Sequence, residues 1–360
     1  MLRPHFLAFW FLFLFSPSLL AEILPRPWEL SRVNKHLQGV VLDYTNNYRQ
    51  DNRIWCDSLG RKADMLIYLP PGFDSKKSYP LFIWMHSFNQ GETTVLRGII
   101  QGIEGAIACG KLPPLIVVAP DGGLESQGLQ TMHHGSFFIN SKAGKYEDYL
   151  MKDVLGFVTK NFPIRPEREA HAIGGFSMGG GAAYHLGMKH KAYFKPVAGL
   201  CPPLNWRYMD CRGGFMRNFQ SHCDELRQDF SNGNMTVGRY FGFVLKLSDM
   251  IGPLFDYQDP EVYKEIAAGN PLEALDKYQI KEGDLNFFLG YSGKDQFNLD
   301  AQCQSFLKKT QEKGIHVQVV TNPRGRHNHL SMMGYFPSLL EWLGRALEGY
   351  GPKDQVLPGK

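Results

Sequence analysis

The chain has 360 residues, enough for one large α/β domain or two smaller ones with a sizeable core. Its apolar share of 43% and charged share of 21% are ordinary for a soluble globular protein. A net charge of +4, with no basic stripe, argues against nucleic acid as a partner.

At the N-terminus Arg3 precedes an apolar run over 6–15, followed by Ser16-Pro17-Ser18-Leu19-Leu20-Ala21. A basic start, an apolar middle and a small residue before Glu22 predict a secretory signal peptide over 1–21. The run is short for a membrane span and Pro17 breaks it, so no stable membrane insertion is expected after cleavage. Six cysteines follow, at 56, 109, 201, 211, 223 and 303, and an even count in an exported chain permits disulfides. Cys211 and Cys223 flank a polar segment at loop-closing distance and are the first expected pair. The Cys/His spacings of a structural zinc site are absent.

Residues 22–59 read as an irregular, polar N-terminal extension with scattered Trp28, Tyr44, Tyr48 and Trp55. Strands are predicted at 64–69, stopped by Pro70-Pro71-Gly72, at 80–85, and at 115–119, stopped by Pro120-Asp121-Gly122-Gly123. The latter two are continuous apolar runs, as strands covered on both faces should be. A helix is expected over 95–108, and another over 146–162 with Leu150, Val154, Phe157 and Val158 on one face. Strands at 196–200, 285–290 and 316–320 then alternate with helices near 300–313 and 338–347. The alternation predicts an α/β fold, with a mostly parallel central sheet flanked by helices, as one catalytic domain over 60–350 and a short tail over 351–360. Residues 204–268 carry many aromatic residues and no strand rhythm, and read as a partly helical insertion. It serves either as a lid over the site or as an excursion packed on the side of the domain.

The chemistry centres on Gly175-Phe176-Ser177-Met178-Gly179, between a short apolar run and a helical segment. Strand, sharp turn and helix are the context in which G-x-S-x-G forms a nucleophile elbow, with Ser177 exposed on the turn and the Met178 N–H turned into the site. The bare pattern is common at this glycine and serine content, so the weight falls on the acid and histidine that should follow it. Asp295 lies in the loop after the strand at 285–290, with Asp300 as its competitor. The strand at 316–320 leads to His327 and His329, which position alone does not separate. A metal reading of this pair, with His133 and His134, lacks an accompanying carboxylate pattern, and no metal is expected. His86 ends the second strand and reads as structural, and the loop after it offers the Phe88 N–H as a second oxyanion donor.

Together these stretches resemble the "putative esterase" group of α/β-hydrolases, whose kin include feruloyl and acetyl-xylan esterases, S-formylglutathione hydrolases, enterochelin esterases and mycolyltransferases. The resemblance runs from about 60 to 347. It rests on Tyr68-Leu69-Pro70-Pro71-Gly72-Phe73, Tyr79-Pro80-Leu81 leading to His86, Val118-Ala119-Pro120-Asp121-Gly122, Tyr146-Glu147-Asp148-Tyr149-Leu150 and the elbow Gly175-Phe176-Ser177-Met178-Gly179-Gly180. By resemblance, Gly325-Arg326-His327 matches the family's G-x-H, and Pro337 falls where a proline usually follows, which favours His327 as the base. Ser87 and Phe88 replace the family's usual glycines, and Asn328-His329-Leu330 replaces its usual small or acidic residue and aromatic.

The resulting expectation is an exported serine hydrolase of carboxylic esters, with Ser177 as nucleophile, His327 as base, Asp295 as acid and Met178 and Phe88 as oxyanion donors. No cofactor is expected. The resemblance implies a small-molecule or polysaccharide-linked ester, such as a plant phenolic ester, as substrate. An acyltransferase with the same triad and a non-catalytic binding module on the same fold are the alternatives.

Overall fold

The computed structural model describes residues 26–47, 50–124, 135–240 and 243–355. The expected signal peptide, His133 and His134 lie outside the described residues. Eight strands form the central sheet: β1 (Val40–Tyr44), β2 (Met65–Leu69), β3 (Leu81–Met85), β4 (Ile116–Pro120), β5 (His171–Phe176), β6 (Pro196–Leu200), β7 (Asn286–Ser292) and β8 (Val317–Asn322). Their order is β1-β2-β4-β3-β5-β6-β7-β8. Only β2 runs against the others, pairing antiparallel with β1 and with β4.

The continuous apolar runs have a simple cause. In β3, Leu81, Ile83 and Met85 face one core while Phe82 and Trp84 face the other. A strand covered on both sides has no solvent face on which to place polar residues. The first core packs under the helical stretch Tyr146–Asp148, Tyr149–Val154 and Leu155–Asn161, whose middle section is a π-helix. Helices Met178–Lys189 (α1) and Leu299–Glu312 (α2) cover the same face. Helices Ile99–Ala108 and His329–Ala346 (α3) cover the opposite one.

Three expectations are corrected. The stretch expected to be irregular, 22–59, holds among its described residues the helix Arg26–Asn34 and the edge strand β1, whose half-exposed pattern hides a strand from a search for apolar runs. α3 begins at His329 rather than beyond Pro337, because Met332, Tyr335 and Phe336 pack on the sheet and outweigh the bond that the proline cannot donate. The insertion holds a β-hairpin, Thr236–Tyr240 with Phe243–Lys246, besides helices Leu247–Ile251 and Val262–Gly269. Gly238 breaks any alternation there, and the strand exists through cross-strand pairing. The Cys211–Cys223 disulfide forms as expected, and Cys56, Cys109, Cys201 and Cys303 are free thiols. Among the described residues no helix is long and apolar enough to cross a membrane.

Candidate active site

The site is built at the carboxyl ends of β5, β7 and β8, where consecutive crossovers leave loops free to converge. Ser177 sits between β5 and α1 with φ +52° and ψ −117°. Such a backbone costs a non-glycine residue about 1–3 kcal/mol. It is held by the Ser177 N–H donating to Leu200 O at 2.8 Å and by Gly181 N–H donating to Ser177 O at 3.0 Å. The flanking glycines are required by close approach. A Cβ on Gly175 would stand 2.5 Å from Met85 O, and one on Gly179 would run into the Met85 carbonyl and lie 2.7 Å from His86 O.

From this turn the Ser177 hydroxyl reaches His327 Nε2 at 2.9 Å, and His327 Nδ1 reaches Asp295 Oδ2 at 2.8 Å. With Nδ1–H donated to the carboxylate, Nε2 is left to accept the serine proton. The Asp295 side chain is 1% exposed and that of His327 8%, so the pair works away from bulk water. His329 is exposed and turns away, its Nε2 at 3.1 Å from Arg97 O. Asp300 sits in the first turn of α2, and burial, then the charge of Asp295, raise its pKa. The structure therefore brings together Ser177, Asp295 and His327, and leaves Asp300 and His329 out.

Three of the four residues 295–298 touch His327. Asp295 bonds its imidazole, and the Gln296 side-chain oxygen accepts the His327 backbone N–H at 2.7 Å. The Phe297 ring meets the imidazole edge-on, with centroids 4.8 Å apart. Asn298, in the left-handed conformation at φ +54°, ends the loop. Sequence reasoning singled out Asp295 and passed over its three neighbours. Two amide side chains beside the acid, in a loop after a buried strand, were the available signal. Cys201 Sγ lies within 4.8 Å of ligand atoms of Asp295 and His327, and burial pushes its thiol up to about 12.

The side chains of Met178 and Phe88, the two residues expected to donate to an oxyanion, both approach Gly135. A Cβ there would collide with Met178 Sδ and stand 3.1 Å from the Phe88 ring, so residues 88 and 178 meet across this glycine. Met178 opens α1, and the first N–H of a helix has no partner within it. His86 is buried; its Nε2 accepts the Gly122 N–H at 2.7 Å, which leaves Nδ1–H to donate to Ser87 O at 2.8 Å. It thus ties the loop after β3 to the loop after β4, the structural part expected of it. Phe88, Phe137 and Trp206 form a row of rings, with centroids 6.1 and 5.3 Å apart in sequence along the row. Phe137 was not anticipated, and only its place in the aromatic pair Phe137-Phe138 hinted at it.

Over residues 56–330 the chain matches the family described as "Putative esterase". The endo-1,4-beta-xylanase Y of Acetivibrio thermocellus is 29% identical over 149 residues, 37% of this chain and 12% of that protein. An esterase of Mycobacterium tuberculosis is 22% identical over 261 residues, 68% of this chain and 47% of that protein. The chain thus spans less than half the length of either curated relative. Among solved structures, a ferulic acid esterase superposes with a TM-score of 0.61 at 16% identity, over 86% of this chain and 99% of that one. At that identity the likeness is one of fold. Matched over most of its length, with its sheet in this order and an elbow after β5, the chain belongs to this esterase family and has the α/β-hydrolase fold.

Proposed function

We propose that the protein is an exported serine esterase that cleaves carboxylic esters through an acyl-enzyme. The observation that carries this reading is the unbroken chain of hydrogen bonds from Ser177 through His327 to Asp295, at 2.9 and 2.8 Å. Ser177 Oγ attacks the ester carbonyl carbon while His327 Nε2 takes its proton. The oxyanion receives the N–H groups of Met178 and Phe88. As the tetrahedral intermediate collapses, the C–O bond to the alcohol breaks and His327 returns the proton to the leaving oxygen. Water, deprotonated by His327, then attacks the acyl-enzyme carbonyl, and the carboxylic acid departs as Ser177 regains its proton. Asp295 stays ionised and stabilises the imidazolium formed in each half-reaction.

The Phe88–Phe137–Trp206 row beside Met178 supports an acyl group with an aromatic ring. A xylanase and a ferulic acid esterase among the similar proteins support phenolic esters on a polysaccharide. Export is supported by the 1–21 stretch and by the Cys211–Cys223 disulfide, which needs an oxidising compartment. The test is turnover of acetyl, butyryl, octanoyl and feruloyl chromogenic esters by residues 22–360, with Ser177→Ala as control. Serine-dependent hydrolysis, fastest with the feruloyl ester, is the expected result. Silence across the panel together with no covalent labelling by an organophosphonate would overturn the reading.

A further inference from the structure

The loop that carries Asp295 is gripped from outside the sheet. Asn298 is 6% exposed and holds a left-handed backbone, φ +54° and ψ +32°. Its side-chain Nδ2 donates to Phe215 O at 2.7 Å and to Arg217 O at 2.8 Å. Both acceptors lie inside the segment that the Cys211–Cys223 disulfide closes. That segment is itself pinned: Tyr208 OH donates to Arg217 O at 2.8 Å, Arg227 donates to Gly213 O at 2.7 Å, and its guanidinium lies 4.2 Å over the Phe215 ring. On the other side, Asn298 N–H donates to Asp295 O at 3.2 Å, and Phe297 N–H donates to Asp295 Oδ1 at 2.9 Å. The hairpin of the insertion adds a third hold, with Arg239 N–H donating to Gln296 O at 3.0 Å.

We infer that Asn298 is a positioning residue for Asp295 and that the disulfide-closed loop 211–223 is its anchor, so that the insertion buttresses the acid of the site. The inference rests on the proposed roles of Ser177, His327 and Asp295. Its physical basis is the cost of a buried amide without acceptors. If the 211–223 segment loosens, both Nδ2 hydrogens lose their partners in a buried place. The loop 295–298 must then rotate toward water to satisfy them, and the carboxylate at its head moves off His327 Nδ1. A displacement of about 1 Å at a positioned group is enough to slow a reaction by roughly 10²-fold. Cys211 is exposed and Cys223 half-buried, so a reductant can reach the bond.

The test compares Asn298→Gly, the Cys211→Ser/Cys223→Ser pair and their combination, each with Asp295 intact and with Asp295→Asn. Glycine adopts the left-handed backbone freely, so Asn298→Gly removes the two donated bonds and little else. The expected result is a fall in kcat of about tenfold with KM within about twofold. In the Asp295→Asn background the same change should cost less than about twofold, because the group it positions is already disabled. Removing the disulfide should lower kcat by a similar factor with Asn298 present and add nothing once Asn298 is glycine. A kcat for Asn298→Gly within about twofold of wild type overturns the inference, as does a tenfold loss that persists in full with Asp295→Asn. If the Asn298 variant does not fold, reversible reduction of the wild type with dithiothreitol carries the test, and unchanged activity in the reduced protein overturns the inference. Failure of the underlying reading is distinct: Asp295→Asn alone would then leave kcat nearly intact.

Discussion

The ring of Phe176 lies against the imidazole of His327, with centroids 5.1 Å apart and planes 24° from parallel. The residue before Ser177 is therefore also the floor under His327, and Phe297 closes on its edge at 4.8 Å. One β-strand end thus positions both Ser177 and His327. Replacing Phe176 with Leu keeps an apolar side chain of similar size but removes the flat surface. We expect kcat to fall roughly threefold to tenfold with little change in KM, and stability to change by less than about 1.5 kcal/mol. Steady-state kinetics and a thermal melt on the same preparation check both.

The two histidines and two aspartates near the site are predicted to behave in opposite ways. Ser177→Ala and His327→Ala should each lower kcat by about 10⁴–10⁶, and Asp295→Asn by on the order of 10⁴. His329→Ala removes a bond to the Arg97 carbonyl at the surface, and Asp300→Asn changes a residue in the first turn of α2, outside the Ser177–His327–Asp295 hydrogen-bond chain. Both should stay within about threefold of wild type. Hydrolysis of one chromogenic ester by the five variants gives the answer, and a severe loss in His329→Ala would reverse the assignment.

Gly179→Ala adds one methyl group where the backbone of β3 passes closest to the elbow. The new Cβ would meet Met85 and His86 backbone atoms, which no side-chain rotation can relieve. The loop from His86 to Phe88, with its proposed oxyanion donor, must shift. A stability loss of about 1–3 kcal/mol should accompany a fall in kcat of at least roughly tenfold. Chemical denaturation read beside turnover separates the two effects, and wild-type kcat in the folded variant would contradict the close-approach account.

A pH-dependent contribution to stability sits far from the chemistry. Burial opposes ionisation of Glu147, but hydrogen bonds from His190 at 2.8 Å and Lys189 at 2.7 Å outweigh it and hold the carboxyl at about 2. A carboxyl depressed in the folded state stabilises the fold above its unfolded pKa, near 4.3, and that contribution is lost as pH falls through the folded value. Glu147→Gln should therefore melt several degrees below wild type at pH 7, by about 1–3 kcal/mol, and the gap should close between about pH 4.5 and 2. Melting curves across that window test it; a gap that stays constant would show that the ionised carboxylate contributes nothing.

Much of the sheet was legible because its strands are covered on both faces. Runs such as Leu81–Met85 and Ile116–Pro120 have no polar side, and that pattern is local. Edge elements were not legible for the converse reason. β1 has one well-buried residue, Val41, and its neighbours are half-exposed or exposed, so nothing periodic marks it. The insertion's hairpin is defined by pairing between its strands, with a register shift near Gly238 that no single strand displays.

The site divides along the same line. The sequence by itself determined the elbow, since Gly175-Phe176-Ser177-Met178-Gly179 carries its own geometry in small residues around one serine. It also set an aspartate and then a histidine in loops after strands downstream of the serine, and pointed to Cys211–Cys223 as the first expected pair. Only the tertiary structure decided which histidine and which aspartate lie within hydrogen-bond reach of one another and of Ser177. His327 and Ser177 are 150 residues apart in the chain and meet at 2.9 Å, while His329, two residues on, faces Arg97. The same folding gave Gln296 and Asn298 their partners, in the base loop and in the disulfide loop. A hydrogen bond depends on where two strand ends and their loops converge, to within a few tenths of an ångström, and that convergence belongs to the packed sheet rather than to any stretch of residues.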